Sequence, residues 1–245
     1  MKNDHESRIT RHSPPSTVLG LPSLSLAWFC FLVHALALGA MLFVIQPGLL
    51  MGTEVARREF IAAHPVAWQI GWLIWMPASL ALVLLFLAWA DTLEFKVWGM
   101  MAVALCFAGA IVDWLDETLL VGLVPTLAAR AASEAFAASL FGWWERYYLV
   151  ASLGLANGLY SVGGLLLSVL AFKTHGFPRW LAWLSAVTWA FSLAISFFGL
   201  LNDRGGIFVV SAVAFALFMP WILVLGYVWL SKIGTQMNAD TRRFF

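Results

Sequence analysis

The sequence predicts an all-α fold: a polytopic membrane protein, a bundle of six transmembrane helices with short amphipathic helices in two long extracytoplasmic loops. Composition, segment length and loop length predict it. Of 245 residues, 62% are hydrophobic and only 11% are charged, against roughly 45–50% and about 25% in soluble domains. Six segments approach or exceed the ~20 apolar residues that span a bilayer: Leu24–Ile45, Ala67–Ala90, Val97–Leu120, Tyr148–Phe172, Trp180–Leu201 and Ile207–Leu230. No connecting stretch is long enough for a globular domain, so the chain divides into a tail (1–22), one transmembrane domain (23–231) and a second short tail (232–245).

The first 22 residues are polar, carry Pro14-Pro15 and read as a flexible cytoplasmic tail. The small-residue run Ala35-Leu-Ala-Leu-Gly-Ala40 resembles a signal-peptide cleavage site, but the apolar stretch continues to Ile45. That exceeds an h-region of about 7–15 residues, so the segment reads as a retained span. Orientation follows the Lys/Arg bias of the loops. With the N-terminus cytoplasmic, nine basic residues lie inside (Lys2, Arg8, Arg11, Lys96, Lys173, Arg179, Lys232, Arg242, Arg243) and five outside (Arg57, Arg58, Arg130, Arg146, Arg204). Both termini are therefore expected in the cytoplasm of a bacterium, with the protein in its inner membrane.

The loop after span one, Gln46–Val66, interleaves Glu54, Arg57, Arg58 and Glu59 with Met51, Val55, Phe60 and Ile61; Glu54 and Arg58 are spaced for an i,i+4 pair. Span two opens on His64-Pro65 and places Trp68, Trp72 and Trp75 on one helical stripe, with Pro77 expected to kink the helix. Trp72 and Trp75 lie too deep for an interfacial belt, so the stripe serves either helix packing or the wall of a cavity.

Span three carries Asp113-Trp-Leu-Asp116-Glu117. Positions i, i+3 and i+4 share a helix face, so the three carboxylates project together. An Asp at the bilayer centre costs about 2.5–3.5 kcal/mol on insertion scales. In this orientation Asp113 lies ~24 Å along its helix, in the outer part of the membrane. The cluster is then either an interfacial end of the span or the charge of an outward-facing pocket. Hard oxygen ligands of this kind, with His64 nearby in depth, suit divalent cations, but no Glu-x-x-His spacing accompanies them and no metal is expected.

The next loop contains Arg130 and Glu134, again at i,i+4, and span four opens on Trp143-Trp144-Glu145-Arg146. Arg146 is expected to pair with Asp113 or Glu117. Deeper lies Gly154-Leu-Ala-Asn157-Gly158-Leu-Tyr160-Ser161-Val-Gly163-Gly164, a small-residue stripe for close helix approach. The stripe could equally face a second copy of the chain or a partner in a membrane complex. Asn157 and Tyr160 would be polar contacts below the acids, Asn157 serving either a ligand or an interhelical hydrogen bond. Span five opens on Pro178-Arg-Trp180-x-x-Trp183, and span six carries Pro220.

Other chemistries find little here. Cys30 and Cys106 lie in apolar stretches without metal-like spacing, and His34 is alone at depth, so no bis-histidine haem or other cofactor is expected. There is no P-loop, nucleophile elbow or Ser/His/Asp set. A net charge of +1 offers no basis for nucleic-acid binding.

The motifs His64-Pro65-x-x-Trp68-x-x-Gly71-Trp72, Asn157-Gly158-Leu-Tyr160-x-x-Gly163-Gly164 and Pro178-Arg-Trp180-Leu-x-Trp183 are similar to those of a loose group of small bacterial six-helix integral membrane proteins. The resemblance implies a six-helix inner-membrane protein and carries over no catalytic residue.

The functional expectation is an outward-facing acidic and aromatic pocket that binds a cation, a protonatable solute or a lipid-like amphiphile, for transport. Its residues would be Asp113, Asp116, Glu117, Arg146, Asn157, Tyr160, Trp68, Trp72 and Trp75. An intramembrane enzyme acting on a lipid or isoprenoid, with one carboxyl as general acid, and a structural subunit covered by a partner helix are the competing classes.

Overall fold

The computed structural model describes residues 23–50 and 52–231, so both tails lie outside it. All the regular structure among the described residues is helical. Six helical spans are long and apolar enough to cross a membrane: Leu24–Leu49, Pro65–Asp91, Lys96–Arg130, Ala135–Lys173, Arg179–Leu200 and Arg204–Leu230.

Span one comprises α1 (Ser23–Ala40), a π-helical turn (Met41–Ile45) and a last α-turn, α2 (Gln46–Leu49). A separate helix, α3 (Glu54–Ala63), starts where Thr53 Oγ1 accepts the Ala56 N–H at 3.2 Å, a normal N-cap. His64 breaks the helix, and Pro65 supplies the first residue of α4 (Pro65–Asp91), where its missing N–H leaves no partner unsatisfied. Next come α5 (Lys96–Gly122) and the short α6 (Val124–Arg130). The fourth span is a single rod of α7 (Ala135–Tyr148), a π-helical segment (Leu149–Ala156) and α8 (Asn157–Lys173). Then follow α9 (Arg179–Leu200) and α10 (Arg204–Leu225), the latter ending in a π turn (Gly226–Leu230). Asn202 takes a left-handed φ of 56° in the turn before α10, and Asp203 caps that helix by accepting the Gly206 N–H at 3.0 Å. Both α4 and α10 continue through their interior prolines, Pro77 and Pro220.

The spans pack as a ring: α1 on α4, α4 on α5, α5 on α8, α8 on α9, α9 on α10 and α10 back on α1. The small-residue stripe of the fourth span is occupied within the chain. A Cβ on Gly164 would overlap the Trp189 ring, one on Gly163 would sit 2.8 Å from the Ala102 carbonyl, and one on Gly154 2.9 Å from Leu200. These glycines let the fourth span, in its π segment and in α8, approach α5 and α9, so the stripe gives no argument for a second copy.

At the tail end of the ring the centre is solid. Trp89, Trp189, Trp221 and Phe218 meet there, with Trp89–Trp221 and Trp189–Trp221 ring centroids each 5.4 Å apart. Helices α3, α6 and α7 pack on one another as a cap at the other end. Beneath the cap a second apolar cluster joins Ile61, Trp68, Trp72, Leu120, Phe141, Trp144 and Ile207.

Candidate functional site

Between the solid half and the cap, the ring encloses a cavity of about 520 Å³, within the range of small-molecule sites. Helices α1, α4, α5, α8, α9 and α10 and the two adjoining π segments all contribute to its wall. Most of the wall is apolar or aromatic: Leu38, Met41, Trp75, Leu82, Trp189, Phe208, Phe215 and Phe218. Among the described residues Asp113 is its sole carboxylate, and no Lys or Arg lines it.

Asp113 is 8% exposed and accepts one hydrogen bond, from Ser152 Oγ at 2.7 Å. Ser152 comes from the π segment, where the widened turn resets the register between α7 and α8. Such segments often sit at functional sites. The Tyr160 hydroxyl neighbours Asp113 without completing a hydrogen bond. His34 of α1, 6% exposed, also forms part of the wall, edge-on to Phe218 at 4.9 Å. Its Nδ1 lies 2.8 Å from the Cys30 carbonyl. A carbonyl can only accept, so Nδ1 carries the proton and a neutral His34 leaves Nε2 as an acceptor.

Asn157 also lines the cavity, but its amide is engaged. Nδ2 donates to the Ser192 carbonyl at 2.7 Å and to Ser196 Oγ at 3.0 Å, while Oδ1 accepts from Ser192 Oγ at 3.1 Å. Ser161 Oγ adds a bond to Ser192 Oγ at 2.9 Å. Asn157 thus clamps α8 to α9, the interhelical alternative for this residue.

Of the predicted residues, Asp113, Asn157, Tyr160 and Trp75 come together at the cavity. Asp116 and Glu117 do not reach it. They are 0% and 1% exposed, and their carboxylate oxygens have no hydrogen-bond partner among the described residues. Trp68 and Trp72 are buried in the cluster under the cap. Trp68 Nε1 donates to the Leu120 carbonyl at 2.9 Å and Gln69 Nε2 to that of Val121 at 2.9 Å, stapling α4 to the end of α5. Trp72 packs edge-on against Trp68 and Tyr148. Among the described residues no three His, Cys, Asp or Glu side chains converge to hold a metal ion.

The expected pairing of Arg146 with the acidic cluster does not form. Arg146 is exposed and enters no ion pair among the described residues. Successive residues on a helix point about 100° apart, and α7 turns Glu145 inward instead. Glu145, 4% exposed, takes the fork of Arg57, with Nε–Oε1 and Nη2–Oε2 both at 2.6 Å, and Arg204 Nη2 at 3.2 Å. Arg57 also donates to the Gly52 carbonyl at 2.7 Å, and Arg204 to that of Leu49. This clasp ties the α2–α3 turn to α7 and α10. No local spacing announces the clasp, because i,i+4 spacing points Arg58, not Arg57, at a carboxylate, that of Glu54. Of the two pairs so spaced, the exposed Arg130–Glu134 pair forms at 2.9 Å. Glu54 instead lies beside Gly142 of α7, where a Cβ would stand 3.3 Å from its carboxylate.

Comparison with family models, with curated proteins and with solved structures finds no significant match for this chain.

Proposed function

We propose that this is a multi-pass protein of a bacterial inner membrane whose cavity binds a positively charged or protonatable organic ligand on Asp113. The observation that carries the reading is a carboxylate with one hydroxyl donor, set alone in a wall without Lys or Arg. A charge buried in apolar surroundings is stable only when paired, and a ligand cation completes it. The aromatic wall of Trp75, Trp189, Phe215 and Phe218 supports the same sign of ligand. Ring faces attract cations by ~2 kcal/mol or more when the contact is desolvated. Lys/Arg asymmetry supports placing both tails in the cytoplasm and the α3, α6 and α7 cap outside.

The test is equilibrium binding of tetrapropylammonium to the purified full chain in nanodiscs, with Asp113→Asn beside it. The amide keeps the size of the side chain and can still accept from Ser152. Tetrapropylammonium has no N–H, so the amide removes a Coulombic attraction of about 3 kcal/mol for unit charges roughly 5–6 Å apart at an effective dielectric near 20, and affinity should fall on the order of 100-fold at unchanged thermal stability. Equal affinity in the two proteins would overturn the assignment.

A further inference from the structure

We propose that the ligand reaches Asp113 sideways from the hydrocarbon of the bilayer, through an opening between the π turn of the first span and α10, and that it is a single-chain cationic amphiphile. The inference rests on the reading that Asp113 holds the ligand's positive charge.

The opening is located by exposure. Most of the cavity wall is buried or half-buried. The wall residues that are also exposed are Leu42 on one side and Phe208, Ala212 and Ala216 on the other. Leu42 is 48% exposed and Phe208 46%. All four belong to the π turn and α10, and all are apolar, so the gap suits acyl chains rather than water. The two spans are held together on either side of this gap, at the cap end by Arg204 on the Leu49 carbonyl and again further down. A Cβ on Gly226 would lie 2.6 Å from Ala27, Trp28 donates to the Tyr227 hydroxyl at 3.2 Å, and His34 packs on Phe218.

Entry along the bundle axis is closed at both ends. At the cap end, the turn after Leu49 is tied by Arg57 to Gly52 and by Arg204 to Leu49, with Glu145 joining the two arginines. At the tail end, Phe218 stacks on Trp221 at 5.7 Å and Trp221 meets Trp189. A carboxylate deep in the wall and an apolar exit to lipid match a molecule with a cationic head and one hydrocarbon chain. Its head would lie at Asp113 and its chain would run out past Phe208 and Ala212.

The experiment uses the full chain in phosphatidylcholine vesicles and two probes. One is dodecyltrimethylammonium carrying a diazirine at its chain end; the other is tetramethylammonium added from water. Photolysis and peptide mapping should place Asp113-dependent label on the π turn and the first half of α10. Ala212→Trp and Ala216→Trp, whose sites are exposed and leave room for the fold, should cut the label gained in incubations too brief for equilibration about tenfold through slower entry. Tetramethylammonium should compete weakly. Asp113-dependent label that maps to α3 or α6, or equal binding of the two probes with no effect of the tryptophans, would overturn the lateral route and leave the cation site standing. Binding of both probes that ignores Asp113→Asn would overturn the cation site as well.

Discussion

Three carboxylates within about one helical turn behave differently because the helix face they share is wide. Asp113 meets Ser152 and the cavity, while Asp116 and Glu117 turn into packed protein with no donor. An unsatisfied buried polar group costs about 1–3 kcal/mol, more when charged, and replacing it by an apolar residue of similar size removes that cost. Glu117→Met is therefore expected to raise the thermal midpoint, by ~2–4 °C for each kcal/mol gained at this chain length, with tetrapropylammonium binding unchanged. Scanning calorimetry and binding on one preparation check it; a lower midpoint would mean that Glu117 has a partner in the membrane. Asn157→Ala should do the reverse. It removes three contacts between α8 and α9, and hydrogen bonds between membrane helices contribute about 0.6 kcal/mol each on average, up to ~1.7. A loss of about 1–2 kcal/mol in unfolding from mixed micelles is expected.

At the scale of elements, α3 is held to the bundle by charge more than by its own short length. Removing one partner of a buried ion pair costs roughly 3–5 kcal/mol, because the other charge stays buried. Glu145→Gln should loosen α3, read as faster hydrogen exchange of the amides of α3, while α5 and α9 stay protected. Arg146→Ala, one residue on, should leave both stability and exchange within about 0.5 kcal/mol; a comparable loss in Arg146→Ala would overturn the clasp. The contrast marks what a sequence can and cannot disclose. Hydropathy and length locate all six spans, because those properties are local. The pairing of Arg57 and Arg204 with Glu145 joins residues 88 and 59 positions apart, and no spacing rule reaches that far. The π segment of the fourth span is hidden for a related reason. Its composition is that of any apolar helix, yet its wider turn aims Ser152 at Asp113. Asp113 itself was legible, since an acid in an apolar run is conspicuous. The division of labour among the three acids was not, since it depends on what each neighbouring helix presents.

For the whole molecule, the ring is built with one solid half and one hollow half, and its orientation decides which side the hollow half faces. Of the basic residues on the cap side, Arg57 and Arg204 are matched by Glu145, and Arg130 by Glu134. That leaves Arg58 and Arg146 outside the observed ion pairs there; on the tail side Lys96 meets Asp91 at 3.4 Å, and Lys173 and Arg179 stand exposed at the turn between α8 and α9. The Lys/Arg rule counts residues rather than net charge, so these pairs leave the expected orientation where the count puts it. Introduced cysteines test it cleanly, because the native thiols, Cys30 and Cys106, are both buried. Ala132 lies exposed in the turn between α6 and α7, and His175 lies exposed between α8 and α9. In intact cells a membrane-impermeant maleimide should label Ala132→Cys at once and His175→Cys only after permeabilisation. The opposite pattern would invert the bundle, turn the clasp and the hollow half toward the cytoplasm, and leave the lateral opening between the first and last spans in the other leaflet.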